Sequence, residues 1–319
     1  MKKDIFVNLE IKDYVIRFVA MNSVSKEILK FGEHFIPRGT IVNGIIEDQD
    51  TFIKILRMIA KKWKLKKHPV RLTMPDSAVI IRKQLIPENV VNDEIQQYVT
   101  FALGETIHLP FDRPVIETRL IEETAEGKQI MIISTDEEIV ARYQSCFQEA
   151  RLKLATVDIS PLSYYRLLEN EGLIESDQLL LIQYHVENVV FTAFEGEYPI
   201  FTQQFSLFDD TTDPQSYGPT LEKEDISRQE VMEQFEEINA EMERIQRFYQ
   251  YSMQEGKSSF SKIALVGDMP YLDEIKSELD EQYGIPIIEL DEERFMGPKG
   301  LNVEKRFHQA LGLAMRAGI

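Results

Sequence analysis

Chemistry needs particular side chains held together, and few of the usual sets occur in this chain. The five histidines, His34, His68, His108, His185 and His308, are widely separated and form no HxH or HxxxH pair. With Cys146 as the single cysteine, a zinc site has almost nothing to draw on. No GxSxG turn offers a serine nucleophile at a strand-to-helix corner, and no GxxxxGKS/T loop offers a phosphate cradle. Carboxylates are plentiful, but Glu236, Glu237 and Glu241 fall on the outer face of a long amphipathic helix, where solvation is their ordinary role. One stretch does pose a chemical question. Residues 5–18, IFVNLEIKDYVIRF, read as a β-hairpin, and glycine-rich hairpin turns can bring backbone N–H groups close to a phosphate. Here the turn is Glu10-Ile11-Lys12-Asp13, without glycine.

The elements around that hairpin must be counted next. At 319 residues the chain exceeds the roughly 250–300 at which a single core stops growing, so two or more subdomains are expected. No run reaches the ~18–20 apolar residues of a membrane span, and no signal-peptide core opens the chain, so a cytoplasmic protein is expected. Cys146 sits in the helical pattern EEIVARYQSCFQEARL and reads as a core residue. The net charge of -18 argues against nucleic acid, whose phosphates require clustered cations. That charge is uneven: residues 1–83 hold 17 basic and 9 acidic side chains, net +8, leaving -26 for the rest. The stretch KKWKLKKHPVR concentrates the excess in Lys61, Lys62, Lys64, Lys66, Lys67 and Arg71. A solvated helix end whose cations suit the C-terminal dipole is one reading; contact with an anionic membrane surface or an acidic partner is the other.

After the hairpin, KEILKFGEHFIP predicts a third strand. A helix follows in which Phe52, Ile55, Leu56, Ile59 and Trp63 form a buried stripe. PVRLTMPDSAVIIRKQLIP gives two strands broken at Pro75 and Asp76, and residues 79–152 read β-α-β-β-α, a compact unit of their own. TVDISPLSYYRLLEN is a strand running into a helix. From Gln178 three consecutive strands repeat the opening of the chain, which suggests an internal duplication. Residues 208–222 read as a loop within a helical excursion over about 208–256. In that excursion Val231, Phe235, Ile238, Met242, Ile245 and Tyr249 make a continuous apolar seam, which docks on the second sheet or, alternatively, pairs in a coiled-coil dimer. KIALVGDMP, a helix, IPIIELD and a closing helix complete the chain.

This order of elements resembles the actin-like superfamily, and more specifically the PilM family of type IV pilus assembly proteins and its relative, the division protein FtsA. The segments that carry the likeness are IPRGTIVNGIIEDQDTFIKIL, VRLTMPDSAVIIRKQLIP, DEIQQYVTFALGETIHLPFD, LATVDISPLSYYRLL and FHQALGLAMR. The resemblance implies an α/β, actin-like (ribonuclease H-like) fold of two domains. Residues 1–78 and 153–176 would form the first, 79–152 an inserted β-α-β-β-α subdomain, and 177–319 the second.

Nucleotide-binding members of that superfamily carry DIG-like turns in both hairpins and a glycine-rich turn after a later strand. Here the corresponding segments are Asn8 to Asp13, Gln183 to Asn188, and Val266 to Pro270 with the single Gly267. The resemblance therefore implies a degenerate nucleotide site at Asn8, Glu10, Lys12, Gln183, Glu187 and Gly267, in which Glu10 and Glu187 repel phosphate. ATP hydrolysis and a resident cofactor are not expected, and weak ATP or ADP binding through Gly267 is left open. The implied role is a cytoplasmic scaffold that binds the short N-terminal cytoplasmic peptide of an inner-membrane protein resembling PilN, with the assembly motor ATPase as a further partner. Membrane contact would be indirect and nucleic acid is not a partner. The implied peptide groove uses Met74, Pro75, Ser77, Val79, Ile81, Tyr98, Phe101 and Phe111. An actin-like ATPase and an FtsA-like filament former are the alternatives.

Overall fold

A computed structural model describes residues 5–175, 178–207 and 226–316. The expected loop at 208–222 lies outside these residues. The first half opens with a meander, β1 (Ile5–Ile11), β2 (Val15–Asn22) and β3 (Ile28–Phe35). A small hairpin, β4 (Ile41–Val42) and β5 (Ile45–Ile46), precedes α1 (Gln49–Lys62), and β6 (Pro69–Thr73) follows. The inserted unit is β7 (Ile80–Ile86), α2 (Ile95–Ala102), β8 (Pro114–Thr124), β9 (Gly127–Asp136) and α3 (Glu137–Glu149). The chain then returns through β10 (Lys153–Asp158) and α4 (Ser160–Asn170).

The second half repeats the meander as β11 (Gln178–Tyr184), β12 (Asn188–Glu195) and β13 (Tyr198–Ser206). It continues with α5 (Arg228–Arg247), β14 (Lys262–Gly267), α6 (Leu272–Gln282), β15 (Ile287–Glu289) and α7 (His308–Ala314). The expected duplication is visible in the strand order. The first sheet runs β3-β2-β1-β6-β10 and the second contains β13-β12-β11-β14-β15, each an antiparallel meander extended by two parallel strands.

Strands β1, β2, β11 and β12 read as near-continuous apolar runs because both of their faces are covered. Leu9, Ile16 and Phe18 pack under α1, where Phe18 stacks on Trp63 with centroids 4.2 Å apart. Val19 and Met21 face the opposite way, as do Leu179 and Leu181 from the second sheet, and all four meet α4 and α7. These two helices form a layer between the sheets. Val231, Phe235, Ile238, Met242 and Ile245 of α5, with Tyr249 in the turn that continues it, bury the seam on the outer face of the second sheet, so its apolar surface is used within the chain. Cys146 is buried in the first core, and burial pushes its thiol up to about 11.

One pairing was not expected. Strand β7 lies next to β13 through Phe201 and Arg82, so the inserted unit's three strands extend the second sheet to eight. The unit still has its own small core, in which Ile95 and Val99 of α2 pack on Ile86, Ile130 and Ile132.

Candidate functional site

The turns of the two long hairpins meet between the halves. Glu10 and Arg17 stand directly opposite on β1 and β2, and both are buried. Arg17 reaches three carboxylates: Asp268 at 2.7 Å, Glu33 at 3.1 Å and Glu10 at 3.5 Å. Asp268 follows β14 and is the centre of the cluster. It accepts from Arg17, from the Tyr14 hydroxyl and, at 3.0 Å, from His185 Nδ1. Burial alone would raise its pKa, but Arg17 and His185 hold the carboxyl well below the usual carboxylate range. For Glu10 burial wins and its pKa is raised, although Lys12 and Arg17 oppose the shift.

Gly267 allows Asp268 to reach this position. Its φ is +134°, and a Cβ there would lie 2.0 Å from the Tyr184 carbonyl oxygen. Outside the cluster lies a cavity of about 720 Å³, lined by eight carboxylates against three cations, Arg17, Lys305 and Arg306.

On the other side of the hairpin turns is a polar cleft of about 230 Å³ that includes Lys12, Asp13, Glu187, Pro75 and Ser77. Burial, with the nearby Asp13 charge, pushes Glu187 up to about 8. A carboxyl protonated in the folded state and ionised in the unfolded state stabilises fully below the unfolded pKa and is lost as pH rises through the folded one. Burial moves His308 the other way, to about 4, so its effect lies below its ordinary 6.5. Between pH 6.5 and 8 Glu187 therefore acts without that opposition, and urea midpoints should fall over this interval and then level off. In Glu187→Gln the fall should be smaller; an unchanged slope would exclude Glu187 as its source.

A third concavity, about 620 Å³, separates the first half from the inserted unit. Met74, Val79, Met131, Ile133 and Leu162 give it an apolar wall, and Tyr198 closes one side. It is flanked by β8 and β10, each of which stands at one edge of its sheet. At its polar end Asp158 pairs with Arg166 at 2.9 Å and with Arg316 at 2.6 Å, while Arg166 Nη1 has no hydrogen-bond partner among the described residues.

These positions divide the expected peptide residues. Met74 and Val79 line the groove, and Met74, Pro75 and Ser77 line the polar cleft, where the Ser77 hydroxyl donates to the Asn43 carbonyl at 2.6 Å. Ile81 is buried in the first core. Tyr98 packs against the inserted unit's own core through α2, on the sheet face carrying Ile116 and Leu120 rather than the groove face carrying Met131 and Ile133. Phe101 is 73% exposed on α2, and Phe111 is half-buried in the connection to β8. The structure thus does not bring Tyr98, Phe101 and Phe111 to the groove, because α2 covers the opposite face of its sheet. Asn8, Glu10 and Gln183 are buried on the paired hairpins, Lys12 and Glu187 share the polar cleft, and Gly267 borders the large cavity. Asp268, Tyr14, His185 and Arg17 were missed by sequence reasoning, although Arg17 opposite Glu10 in an otherwise apolar hairpin was a usable signal.

The family described as type IV pilus assembly protein PilM matches residues 9–175, just over half the chain. The chain belongs to the PilM family. Among solved structures, a PilM–PilN type IV pilus biogenesis complex superposes on this PilM-family fold with a TM-score of 0.74 at 17% identity, covering 97% of each chain. MreB5 of Spiroplasma citri, solved with ADP, gives a TM-score of 0.49 at 10% identity over 98% of this chain and 95% of that one. The ethanolamine utilization protein EutJ from Carboxydothermus hydrogenoformans gives 0.47 at 11% over 97% and 88%. No curated protein sequence matches. The fold is actin-like. Asn8 and Gln183 present amides in the hairpins, Glu10 is a buried carboxylate, and Asp268 already takes the strong cationic donor Arg17. Asn8 Oδ1, both Glu10 oxygens and both polar atoms of the Gln183 amide have no hydrogen-bond partner among the described residues.

Proposed function

We propose that this PilM-family protein is a non-enzymatic scaffold of type IV pilus assembly that holds the short N-terminal cytoplasmic segment of a PilN-like inner-membrane protein. The observation that carries this reading is the groove between the first half and the inserted unit. It offers apolar wall residues for alternate side chains, sheet-edge strands on two flanks, and a polar end formed by Asp158, Arg166 and Arg316. Short extended segments gain affinity and register from such combinations of main-chain bonding and side-chain pockets. Resemblance to a PilM solved with PilN supports the choice of partner. The scaffold role is supported by the cleft between the halves, where Arg17, Tyr14 and His185 already take up the Asp268 carboxylate and the buried Glu10 carboxyl stands beside them, a group that repels phosphate.

The test is calorimetric titration with a synthetic peptide of the N-terminal segment of the PilN-like protein from the same organism. Val115→Asp places a charge on a 43% exposed groove residue and should weaken binding at least tenfold without lowering the unfolding midpoint. Phe101→Ala, on the opposite face, should leave both unchanged. Loss of binding in Phe101→Ala with retention in Val115→Asp would place the peptide on α2. Separately, titration with Mg-ATP should give no heat of binding, and micromolar affinity with turnover would overturn the non-enzymatic reading.

A further inference from the structure

A dense run of positive charge lies away from all three concavities. Between residues 54 and 67 there are seven cations, Lys54, Arg57, Lys61, Lys62, Lys64, Lys66 and Lys67, and no carboxylate. All seven are exposed. Lys54, Arg57 and Lys61 recur at three- and four-residue spacing along one side of α1, and Met58, 44% exposed, lies beside them. The fold then adds cations that are distant in sequence. Arg57 and Lys66 share a shallow hollow with Arg151, and Lys153 begins β10 opposite Pro69, two residues after Lys67. Among the described residues, the one ion pair formed by these nine side chains joins Arg57 to Glu149 at 3.9 Å.

Helix-end electrostatics account for only part of this face. Lys61 and Lys62 lie in the last turn of α1, where cations complement the dipole, but the other seven do not share that position. An uncompensated basic face on a chain of net charge -18 is costly to keep for solubility alone, since the local like charges repel.

We propose that this face docks on the anionic headgroup surface of a membrane. Seven of its nine cations are lysines, which act as point charges without the planar fork suited to a specific phosphate. No exposed aromatic stands among them for base stacking, as Trp63 is buried under β2, whereas exposed Met58 provides an apolar contact suited to an interface. The acidic second half orients the molecule, because an anionic surface attracts the basic face and repels the remainder. Strand β10 runs from Lys153 at this face to Asp158 in the groove, a span of about 16 Å at about 3.3 Å per residue. A membrane-anchored segment would therefore reach the groove from the same surface. Docking itself does not rest on the peptide reading.

The test uses the purified full chain without any partner, sedimented with phosphatidylcholine vesicles that do or do not contain one-third phosphatidylglycerol. Co-sedimentation is expected with the anionic vesicles alone and should weaken as salt is raised. Each basic residue close to such a surface contributes about fivefold, so Lys61→Gln, Lys64→Gln and Lys66→Gln combined should reduce partitioning about a hundredfold. These exposed changes should leave the circular dichroism and melting temperature as they were. Absence of sedimentation with anionic vesicles, equal sedimentation with neutral ones, or full retention by the triple variant overturns the proposal. Binding to polyglutamate or duplex DNA in place of vesicles also overturns it, and assigns the face to an acidic protein or to nucleic acid.

Discussion

Replacing Asp268 by Ala is expected to lower the unfolding free energy by about 3 kcal/mol. The loss does not come from one contact. Asp268 accepts from Arg17, Tyr14 and His185, all three buried, and without it their donors are left facing one another in a space that water reaches poorly. Arg17 would keep Glu33 at 3.1 Å and Glu10 at 3.5 Å, which limits the loss. Tyr14→Phe removes a single hydrogen bond and should cost about 1 kcal/mol. Replacing charge and partner together, as Arg17→Met with Asp268→Leu, should recover much of the stability, because the buried ion pair no longer has to be desolvated. The folded-state pKa of Asp268 is depressed, so its contribution is complete above the unfolded value near 3.9 and is lost on acidification through the folded value. The Ala variant should accordingly lose less of its remaining stability below pH 4. Urea midpoints of the three variants decide the matter; an Asp268→Ala midpoint equal to the parent's would mean that the cluster does not hold the halves together.

Gly312→Ala should be comparably damaging, by about 3 kcal/mol, for a steric reason. Helices α4 and α7 touch so closely that a Cβ on Gly312 would stand 2.0 Å from the Ser163 carbonyl oxygen and 2.6 Å from its carbon. Both are backbone atoms, so no side chain can rotate out of the way. Relief requires the helices to separate, and each is already pressed against both sheets. Gly284→Ala is the control, since its Cβ would meet nothing within 4 Å and should change stability by less than about 0.5 kcal/mol. Thermal melts of the two variants suffice. If they coincide, the crossing has more room than its geometry indicates.

The legible parts of this molecule were those in which one segment carried its own signal. The two meanders could be read because strands covered on both faces become runs of Val, Ile, Leu and Phe, and the α5 seam because its six apolar residues recur with helical spacing. Long-range placement carried no such signal. Nothing in VIIRKQLI or YPIFTQQF indicates that β7 and β13 are neighbours. The two expected α2 residues, which lie outside the groove, could have been placed from spacing. Ile95, Tyr98, Val99 and Ala102 form one helical stripe and Phe101 falls outside it, so spacing alone separated a core residue from an exposed one. Asp268 was invisible as a site residue because its three partners come from positions up to 254 residues away.

The junction of β7 with β13 also determines how the protein carries load. Covalent connections tie the inserted unit to the first half at both of its ends, the Phe201–Arg82 pairing ties it to the second half, and the α4–α7 layer joins the two halves. Three bodies joined pairwise make a triangle, and a triangle braces where two bodies on one joint would swing. Tension applied to a segment in the groove is consequently shared between the backbone of the first half and shear along the β7–β13 seam, held by the Phe201–Arg82 pairing and the Lys83–Glu195 ion pair at 2.6 Å. Rupture of that seam would turn the brace back into a hinge.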